Sequence, residues 1–491
     1  MSELASEPST EREMTLAQLL AGFAARVRDG AGDSRILPDD VADSVRKRIL
    51  DILGIAVAAS GLPTSRAARE FVLASGGVPE ASAVGIPVKL PAAQAAFVNG
   101  VLAHSLDYDD THLPSVLHPS ASVVPAALAA GEAVGASGRQ VTAAVAVGLE
   151  VAVRIGMAGY DREAQNSIFF EHGQHATSIC GAIGGAVAAA MLYGLDENAI
   201  TDTIGVVASM ASGVIEANRT GGTVKRMHCG WAAHSAIAAA QLVQHGFTGP
   251  PTVLEGRFGF FRAWLHGTFF PEEITDGLGH RWSVPGIFFK PYPANHFTHA
   301  GIDAARQLRA QGLDIDAIES IELGVPRQNK PTVGEPIEIK RAPETGYMAQ
   351  FSGPYTVVAG LLGGGGLGVG LDDFTDELAR DPRRRELMAK VSVVADEKCS
   401  AIFPAQFPAV LRIRTRDGQE HVAEVLVNRG GPDNPLSFDE LATKFRDNAS
   451  RFLDDEALGA LRTAVAGLDE LDDVDPVLVP LRTIVTTQEV S

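Results

Sequence analysis

At 491 residues the chain is too long for one simple core, and 46% hydrophobic with 21% charged residues is an ordinary globular balance. The formal net charge of −19 argues against a nucleic acid or an anionic membrane as partner, since both need a basic face, but leaves room for a small anionic substrate in a local basic pocket. Three distant cysteines, Cys180, Cys229 and Cys399, with no CxxC pair, fit a reducing compartment and give little support to an iron–sulfur cluster.

The N-terminal stretch MSELASEPSTEREM is polar and acidic, and reads as neither signal nor transit peptide. No apolar run approaches the ~20 residues that span a bilayer, so a soluble, cytoplasmic protein without membrane contact is expected. From about Leu16 to Leu265 the pattern is helical. Asp39 to Ser60 opens with acidic residues suited to a helix N-terminus, then places Val41, Val45, Ile49, Ile52 and Leu53 on one face. Segments 91–106, 121–134, 139–156, 176–193, 197–215 and 230–245 follow with similar periodicity, and their many Ala and Gly residues predict close helix packing. Residues 1–285 are thus expected to form the first part of a helical domain.

The composition changes near Pro285. IESIELGV (318–325) and KVSVVADE (390–397) alternate like half-buried strands, and AVLRIRT and HVAEVLVN flank Asp417-Gly418 as a β-hairpin should. With a helix near 350–362, residues 286–430 read as an α+β domain. After Gly430-Gly431-Pro432, SFDELATKFRDNA and DEALGALRTAVAGL are helical, with Ser437 and Glu440 placed for a capping box. The expected fold is mainly α: a large all-helical domain formed by both chain ends (1–285 and 431–491), with the α+β domain inserted.

Four segments carry chemistry. Asn99–Ser120, NGVLAHSLDYDDTHLPSVLHPS, gathers three histidines and three aspartates between apolar helices, where unpaired charge is costly. There Asp107 could orient an acid or base, Thr111 bind substrate and His118 transfer a proton, histidine titrating near the working pH. A solvated loop with capping aspartates, or a metal site, would use the same residue types. His172-Gly-Gln-His175 precedes a small-residue helix and aims a histidine at its N-terminus, although capping histidines are common. Thr220-Gly-Gly-Thr-Val-Lys225-Arg226-Met-His228 delivers two cations to the start of an apolar helix, where a substrate carboxylate is a natural partner and a surface basic pair the alternative. Phe288-Phe-Lys290-Pro-Tyr-Pro-Ala-Asn295-His296 sets a lysine between aromatics and prolines at the domain boundary, as a ligand cleft or a plain linker would. Gly363–Gly368 matches a dinucleotide-binding pattern, but a helix precedes it where that fingerprint needs a strand.

In this order the segments resemble the MmgE/PrpD family, which includes 2-methylcitrate dehydratases, cis-aconitate decarboxylases and iminodisuccinate epimerases. The resemblance rests on NGVLAHSLDYDDTH with HPS, GQHAT, VKRMHCGWAAHSAIAAAQL with GFTGPP, KPYPANHFTHAGIDAA and NPLSFDELATKF. It implies that the α+β domain is a lid, that the protein is a homodimer, and that it works with no metal and no organic cofactor. Carried over by position, the family's active-site residues fall on Asp107, Thr111, His118, His175, Lys225 and Lys290. His118 and His175 would then transfer protons, with Asp107 holding one of them in tautomer and orientation. Lys225 and Lys290 would bind carboxylates and stabilise enolate charge. Arg226, Asn295 and His296 complete the expected substrate-binding set. The decarboxylases carry a histidine where this chain has Asn295 followed by His296, and a lid tyrosine without a counterpart around 335–340. The 2-methylcitrate dehydratases usually read HPSDN where this chain reads HPSAS. The expected function is a cofactor-independent lyase acting on a small di- or tricarboxylate polyanion, first of all a 2-methylcitrate dehydratase-like hydro-lyase. A dicarboxylate epimerase, a cis-aconitate decarboxylase-like carboxy-lyase and a catalytically dead binding protein are the alternatives.

Overall fold

Helix α1 (Leu16–Asp29) begins where the Thr15 hydroxyl accepts from the Gln18 N–H and the Gln18 carboxamide accepts from the Thr15 N–H, so two orphan donors are satisfied at once. The computed structural model describes residues 14–217 and 221–484; the first thirteen residues, which carry most of the targeting reading, and Thr220 lie outside that range. Helices α2 (Asp39–Ala58), α3 (Pro63–Ser75), α4 (Ala92–His104), α5 (Ser120–Val134), α6 (Gly138–Ala158), α7 (Ala176–Leu192), α8 (Glu197–Val207) and α9 (Val224–Gln244) follow. The segment expected as one helix over 197–215 stops at Val207, ahead of Gly213, whose φ of +157° lies outside the helical range.

The Ala- and Gly-rich faces let these helices cross at backbone distance. A Cβ added to Gly100 of α4 would stand 2.8 Å from the Cys229 carbonyl oxygen and the Gly230 Cα of α9. Gly184 of α7 meets the Gly148 carbonyl of α6 in the same way. Among the described residues one helix, α6, is by length and composition apolar enough to cross a membrane, although it holds no uninterrupted apolar run of that length; it is buried among its neighbours.

The second layer holds a four-stranded sheet of β1 (Ile318–Val325), β2 (Val391–Ala395), β3 (Ala409–Thr415) and β4 (Glu420–Val425) in the order β2-β1-β3-β4. β1 and β2 run parallel with Ile321 opposite Val391, whereas β1–β3 and β3–β4 are antiparallel. The β3–β4 turn has Gly418 at φ +85°, and the Asp417 carboxylate accepts from Thr415 and Gln419. Helices α10 (His299–Ala310) and α11 (Gly353–Leu362) pack together, with α10 also against β3 and β4. The glycine run 363–368 leaves α11, so it follows a helix.

Helices α12 (Phe438–Ala449), α13 (Asp455–Ala466) and α14 (Asp475–Arg482) complete the described chain, and Ser437 with Glu440 forms the expected capping box on α12. Buried side chains fall into one large core drawn from Leu16–Ile287 and Ala442–Ile484, a second from Phe289–Leu441, and a small third of Leu113, Phe288 and Phe407. The first two meet where Thr111 and Phe288 exchange backbone hydrogen bonds of 2.8 Å. The chemistry-bearing residues gather around this seam.

Candidate active site

Helix α4 ends at His104, and three residues on Asp107 adopts φ +50°, a left-handed conformation that non-glycine residues seldom take. Lys290 explains it. Its ammonium donates to the Asp107 carbonyl oxygen at 2.7 Å and to Oδ1 at 3.1 Å, while Oδ2 lies 3.8 Å from Lys225 Nζ. Burial would raise the Asp107 carboxyl, but Lys225 and Lys290 first, then His118 and His104, hold it well below the usual range. Burial also opposes the charge of Lys225, yet Asp107, Asp109 and Tyr347 keep its pKa above the ordinary lysine value.

Lys444 of α12 anchors this arrangement from beneath. Its fully buried ammonium donates to the main-chain oxygens of Tyr108 (3.2 Å) and Lys290 (2.8 Å), pairs with Asp51 at 2.7 Å, and stands 3.8 Å from the Tyr108 ring centre.

Four histidines line up beside the lysines. Ring centres are 5.4 Å apart for His118–His104, 5.6 Å for His104–His175 and 4.9 Å for His175–His228. His118 Nδ1 donates to the Asp110 carbonyl at 2.7 Å, with the Thr111 hydroxyl at 3.3 Å, and its backbone N–H donates to the Thr177 hydroxyl. A carbonyl accepts only, so the His118 proton sits on Nδ1 and Nε2 keeps its lone pair. Burial pushes His118 down to about 4, so it is neutral at working pH. His104 is the opposite case. Burial works against its charge, but Asp109 at 2.8 Å, with Cys229, holds its pKa up at about 10. His175 Nδ1 and His228 Nδ1 share a hydrogen bond of 2.9 Å. Burial, then His104 and Lys225, drive His175 well below its ordinary value and His228 to about 4.

Asp107, Asp109 and His118 each offer a donor atom within 4.8 Å of the others, the spacing of a metal site. Asp107 is already shared by two ammonium groups and Asp109 by the His104 imidazolium, so the pocket suits an anion better than a cation.

The structure brings Asp107, Thr111, His118, His175, Lys225 and Lys290 together, but it corrects two expected roles. Asp107 pairs with the lysines and not with a histidine; the Asp110 carbonyl holds His118 instead. Arg226 turns away to the Thr64 hydroxyl at 3.4 Å, because successive helix residues point some 100° apart and Lys225 already faces the pocket. The Asn295 carboxamide oxygen caps Phe297 N–H at 3.1 Å. His296 is buried against Phe288 and Phe407, and the charges of Lys290, His118 and Asp107 act on it, which sets it beside the pocket. His104, Asp109 and His228 belong to the site although the sequence reading gives them no role of their own. The first two lie inside the acidic segment, and His228 follows Lys225 by three residues on one helix face.

Two family models match the chain: the MmgE/PrpD N-terminal domain over residues 20–273 and the MmgE/PrpD C-terminal domain over residues 292–470. Similar proteins include the cis-aconitate decarboxylases of Mus musculus, 29% identical over 451 residues (89% of this chain, 88% of that protein), and Homo sapiens, 29% over 450 residues (89% of each). The cis-aconitate decarboxylase of Aspergillus terreus is 26% identical over 459 residues, 90% of this chain and 92% of its own.

Proposed function

The chain belongs to the MmgE/PrpD family, and on that premise we propose that it is a lyase moving a proton at a carbon beside a carboxylate of a small polycarboxylate. The observation that carries this reading is the pair of ammonium groups, Lys225 and Lys290, gathered on Asp107 next to a neutral His118 whose Nδ1 is committed elsewhere. Two cations can hold two carboxylates of one substrate and take up the negative charge that builds on a carboxylate as the neighbouring C–H bond changes. The free Nε2 of His118 suits it to accept a proton from carbon. The imidazolium so formed would stand within 4.8 Å of the Asp107 and Asp109 carboxylates, which stabilise it.

Within that class, the activity of the similar proteins favours a carboxy-lyase with cis-aconitate as the first substrate to try. One alkene carbon gains a proton, for which His175 is the donor, since His118 offers only a lone pair. The old double bond's electrons form the new C–H bond, the C–CO2 bond breaks with release of CO2, and its electron pair becomes the new double bond. The second reading is a hydro-lyase, in which a base takes the carbon proton and hydroxide leaves with a proton from an acid. It is favoured by Asn295 in the position where decarboxylases carry histidine. In either case the region around the sheet serves as a lid, and the enzyme works as a cytoplasmic homodimer without a cofactor.

Proton NMR in D2O with cis-aconitate, citrate, 2-methylcitrate, iminodisuccinate and malate-type acids tests the reading. Deuterium entering a carbon-bound position with release of CO2 identifies the carboxy-lyase. The same exchange with gain or loss of water identifies the hydro-lyase, and exchange without either identifies the epimerase. No exchange with any of the acids would sink the proton-transfer reading.

A further inference from the structure

His175 is neutral, so it cannot deliver a proton in the usual way, from an imidazolium; burial, His104 and Lys225 all oppose that charge. A neutral imidazole that gives up its one proton unaided is left as an anion, which a buried site does not tolerate. Its Nδ1, however, lies 2.9 Å from the Nδ1 of His228, a second neutral imidazole. A hydrogen bond between two such nitrogens holds one proton, carried by one ring and accepted by the other. Resting on the reading of His175 as a proton-transfer group, we propose that His228 is its relay partner, a positioning residue that switches the His175 tautomer and resupplies its proton.

In the donating direction, His175 Nε2 gives its proton to the substrate carbon while the proton on His228 Nδ1 crosses to His175 Nδ1. His228 then takes a solvent proton at Nε2. Both rings begin and end neutral, and one solvent proton has moved to carbon. Run backwards, the same pair removes a proton. His228 stands in the opening turns of α9 and is itself only 5% exposed, so the solvent proton has to reach its Nε2 through that narrow remnant. The other groups acting on the pair are the His104 imidazolium and Lys225, with His118 acting on His175, and all favour the neutral rings. His104, committed to Asp109, separates this pair from His118. The two proton-transfer groups are therefore distinct in kind: His118 a base with a fixed tautomer, His175 a donor with a switchable one.

His228→Asn and His228→Ala test the relay, with cis-aconitate as the probe. Asparagine keeps a polar group near the Nδ1 position but cannot pass a proton on. The expected result is a loss of about tenfold or more in kcat for both variants, with KM within about threefold. Added imidazole, in a concentration-dependent way, should rescue His228→Ala and leave the wild type unaffected. Rates in H2O/D2O mixtures should report more than one moving proton in the wild type and one fewer in His228→Asn. A kcat near the wild-type value in His228→Asn, a loss confined to KM, or failure of imidazole to rescue His228→Ala overturns the relay. Deuterium exchange by the wild type is measured alongside. Exchange with unimpaired variants defeats the relay by itself, whereas no exchange by the wild type on any acid of the panel defeats the proton-transfer reading and the relay with it.

Discussion

Asp107 is held in a left-handed conformation because Lys290 uses both its carbonyl and its carboxylate. Strain of this kind, about 1–2 kcal/mol, persists only where surrounding contacts over-determine it, as at functional sites. Asp107→Asn keeps the shape and removes the charge that offsets a protonated His118, so kcat is expected to fall about 100-fold; buried Lys290 loses its carboxylate, so the urea midpoint falls as well. His118→Ala and Lys225→Ala should each cost about 100- to 1,000-fold in kcat/KM while the protein stays folded, since both side chains are partly exposed. Near-normal turnover in any of these variants removes the site assignment. His104 makes a prediction about pH. Its folded pKa of about 10 lies above the value of roughly 6.5 in an unfolded chain, so between those limits the native state binds the extra proton. The stability it contributes is complete below about pH 6.5 and is lost as pH rises through about 10, at up to about 1.4 kcal/mol per pH unit. Urea unfolding at pH 6, 8 and 10 should show that decline in the wild type and a flatter one in His104→Gln.

At the scale of elements, the crossing of α4 and α9 at Gly100 and Gly230 brings His104 and His228 into one array. Gly100→Ala forces a methyl group against backbone that cannot yield easily. It is expected to destabilise by about 1–3 kcal/mol and to lower kcat by separating the two helices, which urea unfolding and steady-state rates would show. The hairpin and the α12 cap were legible in the sequence because a local signal, Asp417-Gly418 or Ser437 with Glu440, determines each. Ala and Gly density announced close helix packing but could not say which helices cross, and partner choice in the site depends on that crossing. Asp107 was therefore given a histidine to hold, whereas its partners are lysines 118 and 183 positions away on other elements. His228 was visible beside Lys225, but its role depends on where the 172–175 segment comes to rest. Arg226 was grouped with Lys225 by adjacency, which on a helix separates two side chains.

Across the whole molecule, Lys444 joins what the chain separates: α2 through Asp51, the acidic loop through Tyr108, and the start of the second core through Lys290. Lys444→Met leaves Asp51 buried and unpaired, so a loss of about 3–5 kcal/mol is expected. Adding Asp51→Leu should restore most of the urea midpoint without restoring kcat, because the two carbonyls that position Asp107 and Lys290 still lack their donor. Recovery of full activity in the double variant would reduce Lys444 to a structural ion pair.

That same lysine also bears on synthesis. It lies 336 residues beyond Tyr108, so at about 5–20 residues per second the ribosome needs roughly 15 seconds to a minute to supply it after the acidic loop has emerged. Through that interval Asp51 lacks its cation, the loop lacks its floor, and the face of α2 that α12 covers stays open. Activity thus becomes a read-out of translation having passed residue 444, and a ribosome stalled earlier would carry an incomplete helical layer that turns over nothing.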